Sequence, residues 1–385
     1  MRARAGIIGV GQTKYGRRTD VSTPELAAEA VRNALADAKL GFDAIDAIFI
    51  GTAPDALIGV TDADHWIVAE IGGAGKPTMR ISTGGSTGAS AAIAAHDAVA
   101  SGLFRRVLAV AVERAGESKD VQALMNTNID PLFERAIGLN AINVYALVAV
   151  DHMLRYGTTE RQLAHISARN HRNALNNAYA HLQLDLSVDD VMSSKMLCWP
   201  IKLYDTCPAS DGACAVVVAP EAAAPGGPIA WFAGIASCSD GYFLGDREEL
   251  SRRRHLEHAA QDAYGQAGIS DPVADIDVAE LQNPFTSSEL VAIEALGFAA
   301  LGTAGKAVEA GLGEMTSVLP INPSGGALSS NPVGATSLIR IAEAALQVMG
   351  KAGKRQVEGA RTALAQCSGG AVQFGCVVIL RSAMG

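Results

Sequence analysis

The stretch Arg80-Ile-Ser-Thr-Gly-Gly-Ser-Thr-Gly-Ala-Ser-Ala-Ala-Ile-Ala-Ala-His-Asp-Ala-Val-Ala-Ser-Gly102 runs a glycine-rich turn directly into an alanine-rich helix. Such a turn brings several free backbone N–H groups to a helix N-terminus, where the dipole and unpaired donors favour an oxyanion, a phosphate or a nucleophile. It is the natural place for an active site, and it contains no cysteine.

The flanking segments read as an α/β chain. Residues 5–11 form an apolar strand ending at glycines, and residues 45–52 and 106–113 form two more. Ser22-Thr-Pro-Glu25 supplies an N-cap, an early proline and a first-turn acid, and Leu26, Ala27, Ala30, Val31, Ala34, Leu35 and Ala38 follow at helical spacing. Gly6-x-x-Gly9-x-Gly11 lacks the spacing of a dinucleotide-binding turn, so these glycines are read as packing positions.

Residues 116–211 are more polar, with helical patches at 145–156 and 159–176, and are read as a cover folded over the mouth of the first unit. Residues 213–219 return to the sheet, and residues 222–228 make a surface turn. The second part then repeats the first. Ala259, Ala263 and Ala267 followed by Ile276-Asp-Val-Ala echo Ala30, Ala34 and Ala38 followed by Ile45-Asp-Ala-Ile, and Gly325-Gly326 echoes Gly84-Gly85. Two copies of one unit predict a pseudo-twofold molecule with a site between the glycine turns. The last strands are expected at 362–367 and 373–381.

Composition narrows the function classes. With 385 residues, 49% hydrophobic and 18% charged, the chain can bury large cores, and a net charge of −9 argues against nucleic-acid binding. The run Arg252-Arg253-Arg254 follows Glu248 and Glu249 and reads as a solvated helix start. Six cysteines without a Cys-x-x-Cys pair read as reduced thiols rather than disulfides or a metal site, and no apolar run is long enough to span a membrane. A cytoplasmic protein without bound metal is expected. Cys207, Cys214 and Cys376 lie in or beside apolar strands and are read as core.

Several motifs resemble the thiolase superfamily, particularly its lipid-transfer and sterol-carrier-protein branch. They are Asp205-Thr-Cys-Pro-Ala-Ser-Asp-Gly-Ala-Cys-Ala-Val-Val-Val218, Asn283-Pro-Phe-Thr-Ser-Ser-Glu-Leu-Val-Ala-Ile-Glu-Ala-Leu-Gly-Phe298, Ile321-Asn-Pro-Ser-Gly-Gly326 and Asn331-Pro-Val-Gly-Ala-Thr336. The resemblance covers almost the whole chain. It implies two βαβαβαββ halves in a five-layered αβαβα core, with a loop domain. The implied boundaries are 1–115 and 212–245 for the first half, 116–211 for the loop domain and 246–385 for the second half. It further implies acyl-CoA as ligand, no bound cofactor, and a homodimer or dimer of dimers.

The resemblance also implies which positions carry chemistry. The family's nucleophilic cysteine falls at Gly85, its Gly-His-Pro histidine at Asn331, and the histidine of its His-Asp-x-Phe motif at Gln282. The second cysteine survives as Cys367, the expected acid/base thiol, and Ser86, Gly325, Gly326 and Gly369 are the expected substrate-binding positions. The hydroxyls of Ser86 and Thr87 also read as helix caps, and His152, His165, His171 and His181 as surface residues of the cover. There is no cysteine before Cys198 and no histidine after His258, so neither missing group is restored nearby in sequence.

Gln282 and Asn331 can donate hydrogen bonds to a thioester oxygen but cannot act as bases. Conventional thiolysis through an acyl-enzyme is therefore not expected. The resemblance extends to members that lack the cysteine, pair with a small OB-fold protein and split β-hydroxyacyl-CoA by a retro-aldol route, including steroid side chains. That is the leading reading. The alternative is an acyl-CoA- or lipid-binding subunit without catalysis. Those aldolases carry tyrosines near the positions of Gln282 and Asn331, so the base is left unassigned here, with Tyr145 and Tyr242 as loop candidates.

Overall fold

The computed structural model describes residues 4–115, 118, 120–370 and 372–383, so the opening Met-Arg-Ala and the cover boundary expected at Gly116 lie outside the described residues. The strands are β1 (Ala5–Gln12), β2 (Ala47–Gly51), β3 (Thr78–Ile81), β4 (Val107–Arg114), β5 (Met196–Cys198), β6 (Ile201–Lys202), β7 (Asp211–Pro220), β8 (Ala230–Ser239), β9 (Val278–Leu281), β10 (Thr362–Gly369) and β11 (Phe374–Arg381). The principal helices are α1 (Thr23–Ala38), α2 (Thr87–Ala100), α3 (Ala141–Tyr156), α4 (Glu160–Ala174), α5 (Arg254–Ala267), α6 (Thr286–Ala295) and α7 (Thr336–Val348).

Nine strands follow the order β3-β2-β4-β7-β1-β8-β11-β10-β9, while β5 and β6 form a separate hairpin. The internal repeat is visible in the pairing. Strand β2 runs parallel to β4, then β7 and β1 follow antiparallel; β9 runs parallel to β10, then β11 and β8 follow antiparallel. The halves meet at a short β1–β8 seam, Gly6 opposite Trp231 and Ile7 opposite Ala230.

Strand alternation divides the core. Ala47, Phe49, Val107 and Ala109 on one half, and Ala363, Ala365, Val378 and Leu380 on the other, face a shared core containing α2 and α7. The intervening residues Ile48, Ile50, Leu108 and Val110 pack under α1, and Leu364, Val377 and Ile379 pack under α5 and α6. The sequence of layers is helix, sheet, paired helices, sheet, helix.

Local chemistry explains the helix starts. Ser22 caps α1 through a reciprocal capping box with Glu25, and Thr159 caps α4 through one with Gln162. Gly9 and Gly11 lie against α1; a Cβ would come within 2.4 Å of the Ala34 carbonyl or 2.1 Å of the Ala30 carbonyl, so both serve helix packing. Gly88 has the same role where α2 crosses α7, with a Cβ there 2.6 Å from Leu338.

Three expectations need correction. The Gly325-Gly326 turn opens only a short helical segment, Gly326–Ser329, and α7 begins at Thr336, so the two glycine turns are not equivalent helix starts. Arg253 is not solvated: it is 3% exposed, held under α3 beside Tyr145, while only Arg252 and Arg254 make surface ion pairs. His152 and His171 are buried rather than on the surface, His152 bonding to Thr158 and Glu294.

Candidate active site

A cavity of about 280 Å³ opens where the two halves and the cover meet. Its floor comes from Gly84 and Gly85 ahead of α2, Gln282 after β9, and Ser368 and Gly369 at the end of β10. Strands β9 and β10 run parallel, so this is the carboxyl edge of the sheet, where α/β folds place ligands. Asn331, Val333 and Thr336 close one side at the entry to α7, Thr206, Cys207 and Pro208 close another ahead of β7, and Tyr145 with Val121, Met125 and Ile142 supplies the roof. The walls are mainly apolar with a few convergent polar groups, as small-molecule sites require.

Gln282 joins the two glycine segments. Its Nε2 donates to the Gly85 carbonyl at 3.2 Å, and its Oε1 accepts from the Ser368 amide at 3.0 Å. One amide hydrogen remains for a ligand. A Cβ on Gly85 would lie 2.8 Å from the Ser368 carbonyl and 3.1 Å from Gln282 Nε2, so the floor leaves no room for a side chain there without rearrangement. Gly369 is confined likewise, with Thr83 O 2.4 Å from its built Cβ.

Asn331 is fixed from behind. Its backbone N–H donates to Ser210 Oγ at 3.1 Å, and the Gly334 N–H donates to the buried Glu113 at 3.2 Å. Burial raises the Glu113 carboxyl well above the usual carboxylate range. The Asn331 side chain donates from Nδ2 to Cys207 Sγ at 3.1 Å, leaving a second amide hydrogen.

The expected site residues divide into two groups. Gly85, Gln282, Asn331 and Gly369 converge on the cavity. Cys367, Ser86, Gly325 and Gly326 do not line it. Cys367 is buried with its Sγ 3.4 Å from the Ser337 carbonyl, because strand alternation turns it toward the central helices while Ser368 faces the cavity. Burial raises its pKa well above the ordinary thiol value. The Ser86 hydroxyl bonds back to the Thr83 carbonyl at 2.8 Å and faces a different recess beside β8 and β11; it makes no side-chain cap on α2. Gly325 lies against Ala174, and Gly326 sits among Asn283, Asn170 and Asn322, part of a polar cluster around Glu289.

Cys207 is the opposite case. Its sequence setting reads as core, but it is half-buried and faces the cavity. Burial pushes its thiol up to about 11, with the Asn331 hydrogen bond acting the other way. Tyr145 stacks on Phe285 with ring centroids 4.2 Å apart, and burial raises its phenol to about 12 against the opposing effect of Arg253. Thr336 ends the Asn331–Thr336 motif, but sequence reasoning gave it no role: it is 1% exposed, lines the cavity, and its hydroxyl has no partner among the described residues. Tyr242 stays outside, bonding to the Asn128 carbonyl at 3.2 Å. No cluster suited to a metal occurs among the described residues.

Comparison with known proteins gives the class. Residues 5–188 match the thiolase N-terminal domain, and residues 236–382 match the thiolase C-terminal domain-like family. An acetyl-CoA acetyltransferase of Methanothermobacter thermautotrophicus is 34% identical over 94% of this chain and 96% of its own length. Human sterol carrier protein 2 is 32% identical over 94% of this chain and 69% of its own length. A solved structure described as an Ltp2-ChsH2(DUF35) aldolase superposes with a TM-score of 0.86 at 27% identity, covering 98% of both chains. The chain belongs to the thiolase family, in the branch that holds the sterol-carrier and lipid-transfer thiolases.

Proposed function

We propose that this protein cleaves, or in reverse forms, a C–C bond of a β-hydroxyacyl-CoA by a non-covalent retro-aldol route. The observation that carries this reading is the floor at Gly85: a closed glycine turn where covalent thiolysis needs a thiol, framed by amide donors that a thioester enolate needs. The likeness to a solved aldolase supports the same reading.

In this reading the thioester oxygen sits between the free amide hydrogens of Gln282 and Asn331. The β-hydroxyl proton passes to water as the C–C bond breaks, and the neutral phenol of Tyr145, which burial raises to about 12, hydrogen-bonds the oxygen that becomes the carbonyl. The electron pair passes to the thioester as an enolate, a ketone or aldehyde leaves, and protonation at the α-carbon gives the shortened acyl-CoA. The apolar roof of Val121, Met125 and Ile142 receives the acyl chain, consistent with a lipid or steroid side chain. A homodimer or dimer of dimers and a small OB-fold partner belong to the same proposal; the aldolase neighbour is described with a second protein, ChsH2.

The test is to incubate the purified chain, alone and with any co-encoded OB-fold protein, with β-hydroxyacyl-CoA and β-ketoacyl-CoA esters, and to identify products by mass spectrometry. A carbonyl compound plus a shortened acyl-CoA from the hydroxy esters supports the proposal. Saturable binding without products across the panel replaces it with a carrier or subunit role.

A further inference from the structure

We propose that Cys207, rather than Cys367, is the thiol that exchanges a proton with the α-carbon of the bound acyl-CoA. The inference rests on the acyl-CoA reading of the cavity and assigns the step that reading leaves without a residue.

The geometry carries the assignment. Cys207 Sγ accepts a hydrogen bond from Asn331 Nδ2 at 3.1 Å, the same amide whose other hydrogen is placed to meet a thioester oxygen. With the sulfur lone pair engaged by Asn331 and no acceptor for the S–H among the described residues, the thiol hydrogen is free to point into the cavity. By contrast, Cys367 directs its S–H to the Ser337 carbonyl on the far face of β10. A second feature marks the adjoining side, which carries Asn331, as a ligand contact: the buried Thr336 hydroxyl, unpartnered among the described residues, lines the same cavity. One side chain thus couples oxygen and carbon, because Asn331 contacts both the enolate oxygen position and the thiol beside it.

The step balances without a cofactor. The β-hydroxyl proton passes to water, the C–C electron pair moves into the enolate, and the Cys207 S–H bond breaks as its proton bonds the α-carbon. The resulting thiolate is reprotonated by water. In reverse, the thiolate removes an α-proton from a saturated acyl-CoA and returns a solvent proton, which exchanges the α-hydrogens.

The experiment follows α-hydrogen exchange of butanoyl-CoA in D2O by mass spectrometry, with binding measured by calorimetry on the same samples. Wild type and Cys367→Ala should exchange, whereas Cys207→Ala and Cys207→Ser should exchange about 100-fold or more slowly with affinity kept within about threefold. Undiminished exchange in Cys207→Ala, no exchange by wild type, or loss of binding together with exchange in both Cys207 variants would overturn the proposal. The outcome is separable from the aldol reading: cleavage of β-hydroxyacyl-CoA with no exchange rejects Cys207 alone, and exchange with no cleavage rejects the aldol route alone.

Discussion

Nε2 of Gln282 donates to the Gly85 carbonyl at 3.2 Å, so a side chain from the second half of the molecule holds the glycine turn of the first. The same side chain accepts from Ser368, and the floor of the cavity is set by one amide clasping two glycine segments. Replacing Gln282 with Ala removes both the clasp and an enolate donor. Turnover should fall about 10²–10³-fold, with a stability loss of about 1–2 kcal/mol from the two hydrogen bonds. Steady-state kinetics and urea denaturation on the same preparation check both numbers.

Gly85→Cys restores the atom that covalent thiolysis uses, but not the space for it. With a Cβ 2.8 Å from the Ser368 carbonyl, overpacking should cost about 1–3 kcal/mol. The variant should bind acyl-CoA more weakly and form no acyl-enzyme. Thermal denaturation and intact-protein mass after incubation with β-ketoacyl-CoA read these outcomes.

Tyr145→Phe keeps the ring on Phe285 and removes only the hydroxyl. Because that hydroxyl has no partner among the described residues, folding stability should change by less than about 0.5 kcal/mol, as for substitutions that break no internal contact. Turnover of β-hydroxyacyl-CoA should fall about 10²-fold with little change in acyl-CoA affinity.

Acid sensitivity should trace in part to His255. Burial lowers its pKa to about 4, with Arg253 adding to the effect and Asp240, 3.1 Å from Nδ1, opposing it. Between that value and the ordinary one near 6.5 the unfolded chain binds more protons than the folded one. Stability therefore falls as pH drops from about 6.5 to about 4, by at most ~1.4 kcal/mol per pH unit from this group. His255→Gln should flatten that part of the profile, measured by denaturation at pH 7 and pH 5.

Much of the architecture was legible because it is written in local chemistry. The Ser22–Glu25 capping box, the continuously apolar strands and the repeated alanine helix with its following strand all fold as their spacing requires. Gly85, Gln282, Asn331 and Gly369 were reached through motif resemblance and do meet at the cavity. What local sequence does not encode is which way a residue at a strand end points. Cys367 lies in one apolar strand and Cys207 just ahead of another, yet alternation on β10 turns one into the core and the loop before β7 presents the other to the cavity. Arg253 shows the same limit, since a charged run gives no sign that its middle member lies under α3.

The most direct measurement supplies one β-hydroxyacyl-CoA without free CoA and follows both the small-molecule products and the mass of the intact protein. The retro-aldol account predicts a carbonyl compound and a shortened acyl-CoA in equal amounts, with the protein mass unchanged. Cleavage of the β-keto ester only when free CoA is added, with an acyl adduct on the protein, would contradict it.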